Sequence, residues 1–174
     1  MPTEQLRIFA TSVAVAAALS ALTSAMAQTI EKNPDWKEVD VPPPPAFSND
    51  RLIPVDMPAF VTLKFGVDPA TLTVTSDGVV RYVMVAANAS GASNAMYEGI
   101  RCSTGEFKTY ARFSAAGQWS LVNDPQWRPL RDNNTSKHAL ALARQGACEG
   151  RSAAANNPAQ IIATLKNSPR NSGR

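Results

Sequence analysis

The chain has 174 residues, 44% of them hydrophobic and 18% charged, a balance suited to one globular core rather than to a disordered or fibrous chain. Its net charge of +3 falls well short of the concentrated Lys/Arg stripe of a dedicated nucleic-acid binder. With one histidine and two cysteines it has too few ligands for a His- or Cys-built zinc site, and no metal or other cofactor is expected.

The first element in chain order reads as a leader. Arg7 precedes an apolar run from Ile8 to Ala25, and Ala25-Met26-Ala27 supplies the small residues of a signal-peptidase site. Residues 1–27 are therefore expected to be removed before Gln28, leaving a periplasmic protein with no membrane span. The run is rich in Ala, Ser and Thr, which makes it a weak permanent anchor. Residues 28–50 form a proline-rich strap. Pro42 to Pro45 hold the backbone in an extended polyproline II form and withhold the N–H groups that a ladder or helix requires. Trp36 and Phe47 flank the run and are placed to pin it to the domain.

Residues 51–150 carry the β-rich domain. Leu52-Ile53-Pro54-Val55 and Phe60 to Phe65 have strand chemistry broken by prolines. Leu72 to Thr75 leads through Asp77-Gly78, a hairpin turn signal, into Val79 to Ala87. That run is apolar at nearly every position except Arg81, as in a central strand covered on both faces. Asn88 to Ser93 turns the chain, and Asn94 to Cys102 returns with Met96, Glu98, Ile100 and Cys102 on one face. Pairing Ala87 with Asn94 sets Arg81 diagonally from Glu98 and predicts an Arg81–Glu98 ion pair. Glu106 to Phe113 alternates, with Phe107, Thr109, Ala111 and Phe113 on one face and Glu106, Lys108, Tyr110 and Arg112 on the other. Gln118 to Val122 and Trp127 to Leu130 follow, separated by Asp124-Pro125.

Asn133 to Ser136 offers capping residues for a helix through His138, Leu140, Leu142 and Arg144, with Gly146 as its stop. Residues 151–174 read as a short helix opened by Asn157-Pro158 and then a disordered tail from Asn167. In an oxidising compartment the two cysteines, Cys102 and Cys148, are expected to form one disulfide, with a free catalytic thiol or a metal ligand as the competing readings. The fold class is thus α+β, a mostly antiparallel sheet covered by a C-terminal helix and stapled once.

A resemblance attaches to these residues. Trp36, the proline strap, Leu52-Ile53-Pro54, Asp77 to Tyr82, Ser90-Gly91-Ala92, Tyr97-Glu98-Gly99-Ile100-Arg101-Cys102, Tyr110-Ala111, Trp119, Trp127 and Cys148 together resemble the CNP-like family of small exported bacterial proteins. The resemblance spans Trp36 to Cys148, leaves out the tail after Glu149, and implies one exported domain of a Gram-negative envelope. It carries over no catalytic residue.

The chemistry on offer is sparse. No GxSxG element occurs, and every Ser-His-Asp or Cys-His arrangement would have to use His138, the single histidine, which is expected on the surface or in packing. Glu98 is the best candidate acid, because an apolar setting raises a carboxyl pKa, although an arginine-paired Glu98 is structural. A binding face is read from Tyr97, Arg101, Tyr110, Arg112, Trp127 and Arg128, with Tyr82 and Arg131 beside them, since Arg and aromatic groups together recognise anionic or carbohydrate-like groups. A non-catalytic envelope binding or interaction module is the expectation, its partner an envelope protein or an anionic ligand. An enzyme using Glu98 and a structural accessory of an envelope complex are the alternatives.

Overall fold

A computed structural model of the chain describes residues 33–114, 116–132 and 137–168; the leader and cleavage site expected over residues 1–27 and the capping role expected of Asn133 to Ser136 lie outside them. Eight strands form one sheet: β1 (Ile53–Val55), β2 (Lys64–Val67), β3 (Thr73–Val74), β4 (Val79–Ala87), β5 (Ser93–Arg101), β6 (Glu106–Phe113), β7 (Trp119–Leu121) and β8 (Arg128–Pro129). The main order is β1-β2-β4-β5-β6-β7, with β3 on β4 and β8 on β6, and every pairing is antiparallel. The helical part is α1 (His138–Leu142), which runs into a wider π turn over Ala143–Ala147. A small hairpin of β9 (Cys148–Glu149) and β10 (Ser152–Ala153) follows, then α2 (Pro158–Asn167), capped by the Asn157 side chain. Asn167 is the last residue of α2 rather than the start of a tail.

β4 is buried along eight of its nine residues, as its unbroken apolar run requires of a central strand. Val80, Tyr82, Met84 and Ala86 face the helices, where Leu142, Ile161 and Leu165 complete the larger core. Val83 and Val85 face the other way, joining Ala95, Tyr97, Tyr110 and Ala111 beneath Phe47 and Leu52 at the end of the strap. Helices thus cover one face and the strap covers the other. The structure is α+β with a C-terminal helix, and Cys102 is bridged to Cys148 across a Cα–Cα distance of 5.7 Å. That bridge joins the end of β5 to the end of the π turn.

Three local expectations are corrected. The strand over Phe60 to Phe65 begins only at Lys64, because a turn in which Val61 N–H donates to Pro58 O lifts the preceding residues off the sheet and leaves Phe60 74% exposed. Ala87 pairs with Ser93 rather than Asn94, since the Asn88 side chain accepts from Ser90 and Ala92 N–H and tightens the turn by one residue. In β6 the alternation breaks at a bulge: Tyr97 pairs with Ala111 but Glu98 with Thr109, so Tyr110 is the extra residue. Phe107 and Thr109 therefore face the helices while Ala111 and Phe113 face the strap side.

The bulge depends on Gly99. A Cβ there would meet Tyr110 Oη at 2.5 Å and Val79 Cγ1 at 2.9 Å, so the missing side chain is what lets the Tyr110 ring cross the strand. Gly99→Ala is expected to cost about 1–3 kcal/mol by overpacking. Thermal unfolding checks it, with a drop in Tm of several degrees anticipated.

Candidate functional site

Three places hold chemistry: a buried carboxylate under α1, the face under the strap, and an open cleft beside α1. The register Tyr82↔Glu98 and Arg81↔Gly99 puts Glu98 on the helix face and Arg81 on the strap face, so the expected Arg81–Glu98 pair is not made. A single-residue slip is enough, because alternate side chains leave opposite faces.

Glu98, 1% exposed, is paired with His138 instead. Its Oε2 accepts from His138 Nε2 at 2.7 Å and from Tyr82 Oη at 3.2 Å, and its Oε1 accepts from Thr109 Oγ1 at 2.9 Å. Phe65 stacks parallel to the imidazole with centroids 5.2 Å apart, and Phe107 meets its edge. Far from a surface histidine, His138 is a core residue. Burial pushes the Glu98 carboxyl up, but the charge and hydrogen bond of His138 and the bonds from Thr109 and Tyr82 outweigh it and hold it below the ordinary carboxylate range. That corrects the expected rise, and the direction is the reverse of what a general acid needs. Burial and the Glu98 charge raise the Tyr82 phenol well above its usual value.

Asp68 and Asp77 share this behaviour. Burial raises both, yet Asp68 is pulled lower by Arg51 and by Ser48 and Ala70 N–H, and Asp77 by Thr75, Val39 and Val79 N–H and Arg81. Three depressed carboxyls bind fewer protons folded than unfolded, so their stabilisation is present above the unfolded value of about 4 and is lost as pH falls through the lower folded values. The midpoint of thermal unfolding is expected to fall steeply below about pH 4 and to be insensitive to these groups above about pH 5.5. A pH series of melting curves checks it.

On the strap face, Arg81 is 1% exposed and donates through Nη2 to Val39 O at 2.9 Å and through Nη1 to Asp40 O at 3.3 Å. Asp77 Oδ2 and Glu38 Oε1 lie 3.8 and 3.9 Å from the same guanidinium. Glu38 also accepts from Lys108 Nζ and from Tyr110 Oη, both at 2.6 Å. Trp36 donates to Asp77 O at 2.9 Å and lies 3.5 Å over the Arg101 guanidinium, edge-on to Trp127. Of the expected binding set, Tyr97, Arg101, Tyr110 and Trp127 gather here, and the first three are buried. Arg112, opposite Met96, and Arg128, opposite Phe107, belong to the helix side. Glu38, Asp77 and Lys108 lie outside the expected set, while Trp36, expected to pin the strap, bonds to Asp77 O and also stacks on Arg101. The spacing of Trp36 and Glu38 was the available signal, because in an extended strap alternate residues face the same way.

The cleft, of about 530 Å³, is floored by Met57, Pro58, Phe60, Leu140 and Ala141, with Lys137 and Arg144 at its edge. Asp56, Gln145 and Ser168 complete it. Gln145 in the π turn shapes the wall by accepting from Asp56 N–H and donating to Pro54 O. Among the described residues no group of three metal-ligating side chains gathers, and no helix is long and apolar enough to cross a membrane.

The model of the CNP1-like family matches residues 31–166. The chain belongs to the CNP1-like family. No curated protein and no solved structure matches the chain. The CNP1-like region takes in the strap from before Trp36 and nearly all of α2, so the tail after Glu149, expected to fall outside the resemblance, is largely part of the family's domain.

Proposed function

We propose that this CNP1-like protein is an exported, non-catalytic interaction module of the bacterial envelope, and that the cleft beside α1 takes an acidic, apolar segment of a partner protein. One observation carries the reading: an apolar lining that leaves Phe60 74% exposed, with two cations, Lys137 and Arg144, against one carboxylate, Asp56, among the described residues around it. An exposed apolar patch with charged edges is the surface of a binding site rather than of an inert face. Cationic edges select acidic neighbours in the occupant.

The leader-like residues 1–27 and the cysteine bridge support an exported, oxidising setting. The non-catalytic part of the reading is supported by Glu98, whose two oxygens are both engaged in a site closed to solvent. A photo-reactive residue at position 60, expressed in intact cells, is expected to give one discrete adduct. The same group at Leu121, equally exposed but outside the cleft, is expected to give none. Equal labelling at both positions would contradict the proposal, as would occupation of the cleft by the chain's own residues after Ser168.

A further inference from the structure

On the strap face a cluster of donors on the sheet is engaged by a carboxylate from elsewhere in the chain. Arg81, Lys108 and Tyr110 converge on a single carboxylate, that of Glu38, which is contributed by the strap and not by the sheet that carries the donors. Beside it Arg101 is 7% exposed, and its Nε is enclosed with no hydrogen-bond partner. No carboxylate of the described residues reaches ion-pair distance of it; Glu106, its neighbour on β6, is engaged by Thr104. Among the described residues Trp36 stacks on the guanidinium, and an aromatic face compensates a buried cation less fully than an anion does.

We propose that Arg81, Arg101, Lys108 and Tyr110, walled by Trp127, form a site for an oxyanion carried on a body that stacks against tryptophan, as a sugar acid or a sugar phosphate would, and that Glu38 and Trp36 of the strap occupy it as an internal competitor. Trp127 presents the wall, with Lys108 Nζ 4.9 Å from its ring centre. Glu38 stands where the ligand's charged group goes, and Trp36 stands where its ring goes. The strap is anchored on the sheet by bonds to Asp77 and Arg81 and continues into the exposed Val41-Pro42-Pro43 segment, so it can lift without unfolding a strand. Binding at this face does not depend on the cleft beside α1.

The test uses the opposite signs that competition imposes. The full mature protein is titrated with inorganic phosphate, with glucuronate and with neutral glucose, following tryptophan fluorescence, since Trp36 and Trp127 meet at the site. Glu38→Gln removes the internal carboxylate and is expected to tighten binding of a charged probe about tenfold, the equivalent of about 1.4 kcal/mol. Lys108→Met is expected to weaken it by a similar factor, and glucose is expected to be silent. Glucuronate bound more tightly than phosphate identifies the sugar acid, and the reverse order a phosphate group. Trp36→Ala, which frees Arg101 without touching the carboxylate, is expected to tighten binding as well. If Glu38→Gln and Trp36→Ala, both folded by circular dichroism, bind no more tightly than the wild type, or if glucose binds as well as glucuronate, the proposal is overturned.

Discussion

Glu98→Gln is expected to lower the free energy of unfolding by about 3 kcal/mol, because it leaves buried donors that now bond to a charged acceptor unpaired. The carboxylate accepts from three donors, His138, Tyr82 and Thr109, in a layer sealed by Phe65 and Phe107. A glutamine of the same size turns one acceptor into a donor, facing either His138 and Tyr82 or Thr109. No water can take over at a position 1% exposed. His138→Ala is expected to act in the same direction, and the two effects should fall short of their sum when combined, because both remove one interaction. Urea unfolding of the two single variants and the double variant measures this. A change below about 1 kcal/mol for Glu98→Gln would mean that the pair does not hold α1 on the sheet.

Opening the Cys102–Cys148 bridge is expected to cost about 4 kcal/mol by releasing the unfolded chain from a loop closed over a separation of 46 residues. The bridge joins β5, which carries Glu98, to the π turn that follows α1, which carries His138. Two fastenings, one covalent and one hydrogen-bonded, therefore hold the same helix to the same strand. The expected shift is more than about 1 M in the urea midpoint on adding reductant, reproduced by the Cys102→Ala, Cys148→Ala double variant. With reductant the slope of the transition is also expected to rise, because the freed unfolded chain exposes more surface.

The sheet, the bridge and the two faces of β4 followed from residue pattern, because an unbroken apolar run, paired cysteines and turn dipeptides each have one strong physical reading. The partner of Glu98 did not. It turned on one residue of register, set by the Asn88 side chain closing its own turn, and alternation then sent Arg81 to the far face. The helix expected over His138 and the apolar face of Glu98 were both available in the sequence. What could not be read was that the helix packs with its first residue over that strand. In β6 the bulge at Tyr110 has no local sequence mark; its cause is the space over Gly99 on the neighbouring strand, a contact between strands. The expected binding set divides between the two faces, because the bulge and the β8 pairing place Arg112 and Arg128 on the helix side. Proline chemistry identified the strap as a strap, but the contacts of Trp36 and Glu38 depend on what lies beneath them.

The cleft is assembled by folding from segments that are distant in sequence. Phe60 read as a strand residue, and its exposure comes from the Pro58 turn that ends pairing before Lys64. Leu140 and Ala141 read as one side of a short helix with no neighbour in view. Only folding brings them beside Met57 and Pro58.

The most direct measurement of the interaction reading is the yield of the position-60 adduct when the charge at the edge of the cleft is reversed. Arg144→Glu lies on the surface and is expected to leave the circular dichroism spectrum unchanged. With an acidic, apolar segment in the cleft, the adduct should fall at least several-fold and recover in Arg144→Lys. An adduct of undiminished yield in Arg144→Glu would contradict the assignment of that surface and its partner.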